Sequence, residues 1–156
     1  MVMNLESVTI SWVFSVLYML FCIYLPGPAR IFAGLFYMVM GGVNLVLVVL
    51  FPEAFVLIGS EPLLALYRPI FESLVPKAPG AWGLLIALFE GAMGFMILRK
   101  GWIARLGLIG YTVFCLAIVP LNWMAFPAWC LAVGHIHILR RGAFDRTLPE
   151  VLRRTA

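Results

Sequence analysis

One acidic residue, Glu90, lies inside a long apolar stretch of the sequence, ten residues after that stretch begins at Gly80. A charged group at the centre of a bilayer costs about 2.5–3.5 kcal/mol on insertion scales, so such a residue usually faces the protein interior. A carboxyl group there can hydrogen-bond the head group of a lipid-soluble molecule, bind a cation or relay protons. Glu90 is therefore the first candidate for chemistry in this chain.

Three other polar residues occupy comparable positions in other apolar stretches. They are Asn44, Tyr111 and His135. Together with Glu90 they predict a polar cluster near the middle of the membrane. Two interpretations follow from this cluster. In one, the polar groups only hydrogen-bond the helices to one another. In the other, they bind a ligand or relay protons.

Small residues share the helical face of Glu90. Gly83, Ala87, Gly91 and Gly94 all fall within roughly 100° of it on a helical wheel. The first three are spaced four residues apart, which is the small-xxx-small pattern that lets two membrane helices approach closely. The pattern predicts that Glu90 points toward neighbouring helices rather than toward lipid.

Metal and nucleophile chemistry have little support in the sequence. His135 and His137 are two residues apart, so on a helix they point in different directions and share an ion poorly. The cysteines, Cys22, Cys115 and Cys130, form no C-x-x-C pair. The phosphate-binding loop, the serine nucleophile elbow and the H-E-x-x-H pattern are absent from the sequence. We expect no metal site, no catalytic residue and no enzymatic activity of the chain on its own.

The composition indicates which elements must position these residues. Of the 156 residues, 64% are hydrophobic and 12% are charged, whereas a soluble domain is roughly half apolar and about a quarter charged. A soluble fold of this size could not bury so much apolar surface. The net charge of +4 does not indicate nucleic acid binding, because the basic residues cluster beside the apolar stretches. The expected environment is a lipid bilayer.

The apolar stretches predict an all-α integral membrane bundle of about five transmembrane helices. The predicted spans are residues 8–25, 31–51, 80–98, 102–119 and 121–139. Proline or a basic turn ends each of the first four. The fifth span is the least apolar and contains Pro127, which a helix tolerates only near its first turn. If the helix begins there, the fifth span is short.

Outside the spans, the sequence predicts two further elements. The connection over residues 52–79 contains apolar residues at helical spacing, which indicates an amphipathic helix near 61–75 on the membrane surface, kinked at Pro69. Residues 1–139 then form a single transmembrane domain, and residues 140–156 form a basic tail.

Lys and Arg in short loops favour the cytoplasm. With five crossings, nine of the 11 basic residues fall on one side: Arg30, Arg99, Lys100, Arg105, Arg140, Arg141, Arg146, Arg153 and Arg154. Arg68 and Lys77 fall on the other. If the fifth span did not cross, the tail would change sides and the bias would become four against seven. The charges therefore favour five crossings in a plasma or inner membrane, with the N-terminus outside and the C-terminus in the cytoplasm.

Two segments resemble the DoxX-like family of small membrane proteins. One begins at Arg30 and reads RIFAGLFYMVMGG, and the other lies within 85–106 and contains LFEGAMG followed by the basic turn RKGWIAR. The similarity covers roughly residues 30–140. The helix at 8–25 and the connection over residues 52–79, which we call the outer connection, depart from the family's four-helix pattern. The resemblance implies a small bacterial or archaeal membrane protein. Some family members are membrane subunits associated with thiosulfate:quinone oxidoreduction, and many have no assigned activity. Glu90 is the position we would match to the family.

Three functions are consistent with these features. The first is a non-catalytic subunit that anchors or assembles a larger membrane complex, with other membrane subunits or a second copy as its partner. The second is a component of a membrane redox system that binds a quinone or a lipid, using an acid, a histidine and aromatic side chains. The third is a small transporter or channel that uses Glu90 and dimerises through its glycine-rich faces.

Overall fold

The structure, a computed structural model, describes residues 5–58, 62–142 and 144–145. Every regular element in these ranges is helical, which confirms the predicted all-α class. The α-helices are α1 (Leu5–Tyr24), α2 (Pro26–Leu50), α3 (Ala54–Ile58), α4 (Pro79–Leu98), α5 (Gly101–Ile118) and α6 (Ala128–Arg141). Four of them, α1, α2, α4 and α5, are long and apolar enough to cross a membrane. This is the arrangement expected for a protein whose solvent is lipid.

Proline and glycine set the boundaries of the long helices. Pro26 begins α2 and Pro79 begins α4, positions where the missing proline N–H would have no helical partner anyway. The turn between α4 and α5 is short, and Gly101 adopts φ = 66° there. That left-handed conformation is sterically costly for residues with a Cβ atom. The chain can therefore reverse direction between two antiparallel membrane helices within a few residues.

The last helix, α6, begins seven residues later than the predicted fifth span. The segment from Val119 to Pro127 forms turns, and α6 itself has 14 residues. The Asn122 side chain accepts a hydrogen bond from the Ala125 N–H over 2.8 Å, which stabilises a turn just before Pro127 in the way that Asn commonly does. At about 1.5 Å per residue α6 is roughly 21 Å long, which is less than the roughly 30 Å of a hydrocarbon core. The predicted fifth crossing is therefore not among the four helices that are long and apolar enough to span a membrane by themselves.

The outer connection contains short helical turns instead of the predicted amphipathic α-helix. A 3₁₀ turn covers Ala65–Tyr67, a π-helical turn covers Ile70–Leu74 and a second 3₁₀ turn covers Val75–Lys77. Glu61, the predicted start, lies outside the described residues. Pro69 and Pro76 explain the interruption, because proline removes an N–H donor and its ring clashes with the preceding helical turn.

The five longer helices form a ring around a common core. Along the ring, α1 packs on α6, α6 on α5, α5 on α4 and α4 on α2, and a smaller contact between α1 and α2 closes it. The buried residues that face the interior include Tyr18, Tyr37, Ile97, Tyr111 and Ile138. Each helix therefore presents at least one side chain to the same interior space.

The closest packing in the ring joins α2 to α4 through glycines on both helices. A Cβ atom at Gly41 would lie 2.8 Å from the Ala87 carbonyl oxygen, and one at Gly94 would lie 2.7 Å from the Gly34 carbonyl oxygen. Gly83 is equally crowded, by the Phe55 ring of α3. A Cβ on Gly91 would meet open space, although the Gly91 backbone N would itself lie 2.8 Å from a Cβ atom at Gly41. Small residues on both helices thus bring the two backbones together.

One end of the bundle carries the basic residues of the described part of the chain, apart from two in the outer connection. They are Arg30, Arg99, Lys100, Arg105, Arg140 and Arg141. Arg30 is buried and donates a hydrogen bond to the Arg99 carbonyl over 3.0 Å. The buried Phe144 ring lies near the Arg30 and Arg105 guanidinium groups, and its carbonyl accepts the Gly101 N–H over 2.7 Å. Since α6 ends beside the start of α5, the two helices run antiparallel along the bundle.

Candidate functional site

Glu90 lies in the interior of the bundle. It is 5% exposed and is the twelfth of the 20 residues of α4. Asn44 Nδ2 of α2 donates to Glu90 Oε2 over 2.5 Å, and the Tyr111 hydroxyl of α5 donates to Glu90 Oε1 over 2.9 Å. The structure therefore brings three of the four predicted residues together, from three different helices.

The close packing of α2 on α4 explains the contact between Asn44 and Glu90. Gly41 lies three residues before Asn44, and Ala87 lies three residues before Glu90, so each pair is nearly one helical turn apart. The Gly41–Ala87 approach brings the two backbones close enough for a short asparagine side chain to reach the carboxyl group. The small residues that the sequence places on this face thus position the polar pair.

Glu90 has two hydrogen-bond partners, one at each oxygen, and both are neutral. Hydrogen bonding of this kind offsets the desolvation cost of a buried polar group. Each carboxylate oxygen has two acceptor positions, so both oxygens can accept a further hydrogen bond. The arrangement can hold the helices together and bind a donor group from a ligand.

His135 belongs to a second polar cluster. It is fully buried in α6, and its Nε2 lies 2.6 Å from the Tyr37 hydroxyl and 2.9 Å from the Tyr18 hydroxyl. Its Nδ1 has no hydrogen-bond partner among the described residues. The ring of Tyr111 is an edge-on neighbour at 6.1 Å between centroids. His135 is therefore at the depth that the sequence predicts, but its hydrogen bonds go to tyrosines rather than to Glu90.

A single ring nitrogen has one in-plane hydrogen-bonding position, either a lone pair or an N–H. Two hydroxyl groups compete for that position on His135. One hydroxyl hydrogen is thereby left for another acceptor, and the two tyrosines provide one, since the side chains of Tyr18 and Tyr37 also hydrogen-bond each other. Tyr37 lines an adjoining cavity as well, so this second cluster forms part of that cavity's wall.

Tyr18 and Tyr37 are the residues that the reasoning from sequence missed as members of the site. Both are buried, with 3% and 1% of their surface exposed. A signal was present in the sequence: each is a tyrosine inside a predicted span rather than at its edge. Buried tyrosine hydroxyls usually find a hydrogen-bond partner, and a partner inside a bundle has to come from another helix.

A cavity of about 210 Å³ adjoins both clusters. Its polar lining includes Glu90, Tyr111 and Tyr37, and its apolar lining includes the aromatic side chains of Phe36 and Phe114. All five longer helices contribute lining residues, and Met124, at the rim, is 38% exposed. Aromatic walls with a few polar groups are typical of sites for small organic molecules.

The other candidate ligands of a metal ion lie apart. His137 is half-buried on α6, and Cys22, Cys115 and Cys130 are free and buried. Among residues 5–58, 62–142 and 144–145, no three His, Cys, Asp or Glu side chains are grouped as potential metal ligands. Cys115 lines the cavity, where its thiol serves as a small apolar packing group.

Comparisons with protein-family models, curated proteins and solved structures give no match to this chain. The resemblance to the DoxX-like family therefore stays a prediction based on the two segments that carry it.

Proposed function

We propose that this protein binds a lipid-soluble molecule with a hydrogen-bonding ring as its head group, of the quinone class, inside its helix bundle, as a component of a membrane redox system. The observation that carries the proposal is the cavity beside Glu90. It combines a carboxyl group and two tyrosine hydroxyls with aromatic walls. Such walls suit a flat ring, because aromatic rings pack well in stacked or edge-on arrangements.

The polar groups suit both redox forms of a quinone. An oxidised quinone presents carbonyl oxygens, which would accept a hydrogen bond from the Tyr37 or Tyr111 hydroxyl once that hydroxyl turns away from its partner in the unliganded protein. A reduced quinol presents hydroxyl groups, which donate to the free acceptor positions of Glu90. Asn44 holds Glu90 from the side opposite to Tyr111, at its other oxygen. A site with both donors and an acceptor matches a head group that changes from acceptor to donor.

The test is to purify the protein in native lipid nanodiscs, extract the small molecules and identify any quinone by mass spectrometry. Decylubiquinone binding to the same particles is then titrated for the native protein and for Glu90→Gln. We expect the variant to bind several-fold more weakly, since glutamine keeps one acceptor oxygen and an ordinary hydrogen bond contributes about 0.5–1.5 kcal/mol. Glu72→Gln is the matched control, because Glu72 is an exposed acid of the outer connection. Equal binding by the native protein and both variants would reject the proposal.

The two other functions predicted from the sequence lead to different measurements. An anchoring or assembly subunit would co-purify with other membrane proteins in mild detergent, whatever residue occupies position 90. A transporter or channel would show ion flux in proteoliposomes that depends on Glu90. Neither prediction requires a quinone in the purified sample.

We also propose an orientation for the bundle. Its basic end, which includes Arg30, Arg99 and Arg141, faces the cytoplasm, because basic residues in short loops favour that side. The outer connection then lies on the external side, and a quinone would enter from the outer half of the bilayer, past Met124.

A further inference from the structure

A second cavity lies between the outer connection and the helices beneath it. Its volume is about 290 Å³, and its lining is almost entirely apolar. Ile70, Phe71 and Val75 of the connection form one wall. Ile86 of α4 and Phe114 of α5 belong to the opposite wall. The one hydroxyl in the lining, that of Tyr67, donates to the Ala117 carbonyl over 2.8 Å. The cavity therefore suits a hydrocarbon chain rather than a polar molecule.

Hydrogen bonds hold the connection over the helices without filling this space. The Leu63 N–H donates to the Pro120 carbonyl over 2.9 Å, and Asn122 Nδ2 donates to the Ile58 carbonyl over 2.7 Å. With the Tyr67 hydroxyl, these contacts link the part of the connection before Ile70 to the last turn of α5 and the turns that follow it. The wall is thus attached to the bundle beside the cavity rather than across it.

The second cavity adjoins the first, and the two share part of their walls. Phe114 and Ile118 of α5 line both of them. Ligand sites for small organic molecules usually measure roughly 300–1,000 Å³. Each cavity alone falls below that range, with about 210 and 290 Å³, whereas the two combined fall within it. The first cavity has polar lining at Glu90, whereas the second is almost entirely apolar.

We propose that the second cavity receives the hydrocarbon tail of the molecule whose head group binds beside Glu90. This inference rests on the proposed function and narrows its ligand class to quinones with a side chain. The tail passes Phe114 and Ile118 and then lies beneath the outer connection. The connection therefore takes part in selecting the ligand, instead of only linking α3 to α4.

The experiment compares two probes in nanodiscs: decylubiquinone, and the same head group without a side chain. Ile86→Trp fills the second cavity, because Ile86 lines that cavity and not the first. Excluding two or more methylene groups of the tail from this apolar cavity weakens binding by about tenfold or more. We expect that loss for decylubiquinone and no change for the tail-less head group. Comparing each probe with itself across variants removes the effect of its partition into lipid.

Leu88→Trp is the matched control. Leu88 is on the same helix, is 62% exposed and lines neither cavity, so this variant should bind both probes as the native protein does. Suppose that decylubiquinone binding depends on Glu90. The inference is then overturned if Ile86→Trp leaves that binding unchanged, or if it weakens the binding of both probes equally. If neither probe binds in a way that depends on Glu90, the proposed function fails, and the inference fails with it.

A second measurement uses the native protein and does not depend on the folding of a variant. A ubiquinone analogue with a photoreactive diazirine at the end of its tail is cross-linked in nanodiscs, and the labelled peptides are mapped. Labels in residues 62–77 or on the Ile86 side of α4 support the inference. Labels confined to lipid-facing positions of α1 and α2 contradict it.

Discussion

The rings of Tyr37 and Tyr111 stack almost in parallel, with their centroids 3.4 Å apart and their planes inclined by 15°. The Tyr111 hydroxyl donates to Glu90, whereas the Tyr37 hydroxyl contacts His135. The stacked pair therefore joins two polar clusters into one buried layer. Asn44, Glu90 and Tyr111 bring α2, α4 and α5 into this layer, and His135 and its tyrosine partners add α6 and α1 to it.

This layer accounts for specific packing in a bundle whose surroundings are apolar. Lipid tails are as apolar as leucine, so the hydrophobic effect contributes little to the contact of one membrane helix with another. Hydrogen bonds and close van der Waals packing have to select the neighbours. The polar layer and the glycine contacts between α2 and α4 supply both.

Replacing Glu90 should destabilise the fold, and the loss should be larger for a side chain that leaves fewer acceptors for Asn44 and Tyr111. Glu90→Leu leaves the Asn44 amide and the Tyr111 hydroxyl without acceptors, and each unsatisfied buried group costs about 1–3 kcal/mol. Glu90→Gln keeps one acceptor oxygen and should cost less. Thermal unfolding in detergent should rank the native protein first, Glu90→Gln second and Glu90→Leu last. Glu72→Gln should unfold like the native protein, and a Glu90→Leu variant as stable as the native protein would contradict the assigned hydrogen bonds.

Two adjacent glycines of α2 offer a matched pair. A Cβ atom at Gly41 would lie 2.8 Å from backbone atoms of α4, whereas one at Gly42 would meet nothing within 4 Å. We expect Gly41→Ala to destabilise the protein by about 1–3 kcal/mol through overpacking, and Gly42→Ala to be neutral or slightly stabilising because alanine favours helix. Since the three cysteines are buried, a thiol-reactive dye reports unfolding. Equal stability of the two variants would argue against close packing of α2 on α4.

The two tyrosines beside His135 should show energetic coupling. Tyr18→Phe and Tyr37→Phe each leave one hydroxyl for His135 Nε2. The double variant leaves a fully buried imidazole without either hydroxyl. We expect its loss of stability to exceed the sum of the single losses by about 0.5–3 kcal/mol, as is found for residues in one hydrogen-bond network. Tyr24→Phe serves as the control, since Tyr24 is 77% exposed, and strictly additive losses would count against a shared contact.

The proposed orientation predicts which side of the membrane reaches each loop. In intact cells, a membrane-impermeant thiol reagent should label Lys77→Cys, in the outer connection. It should label Lys100→Cys, at the basic end, only after the membrane is permeabilised. The native cysteines are buried and add little background. The reverse labelling pattern would overturn the orientation. So would the finding that a reporter fused after Ala156 lies outside the cell.

The sequence by itself determined the all-α class of the protein and the helical face on which Glu90 lies. Apolar length predicts helices that can span a bilayer, and proline marks their boundaries at Pro26, Pro52 and Pro79. Helical periodicity places Glu90 on the same face as Gly83 and Ala87. These features are local, so a single sequence is enough to predict them.

Only the tertiary structure decided which polar residues meet. The periodicity of a helix gives the face on which a residue lies, but not which helix lies opposite that face, because that depends on the order of helices around the ring. Asn44 and Tyr111 therefore reach Glu90, while His135 reaches Tyr18 and Tyr37.

The outer part of the protein also depended on tertiary contacts. The start of α6 at Ala128 follows from a turn stabilised by Asn122, and the same side chain binds the end of α3. The prolines of the connection interrupt its helical pattern, and contacts with α5 fix its short turns over the bundle. A cavity bounded by such a segment depends on contacts between distant parts of the chain, and local sequence patterns do not predict those contacts.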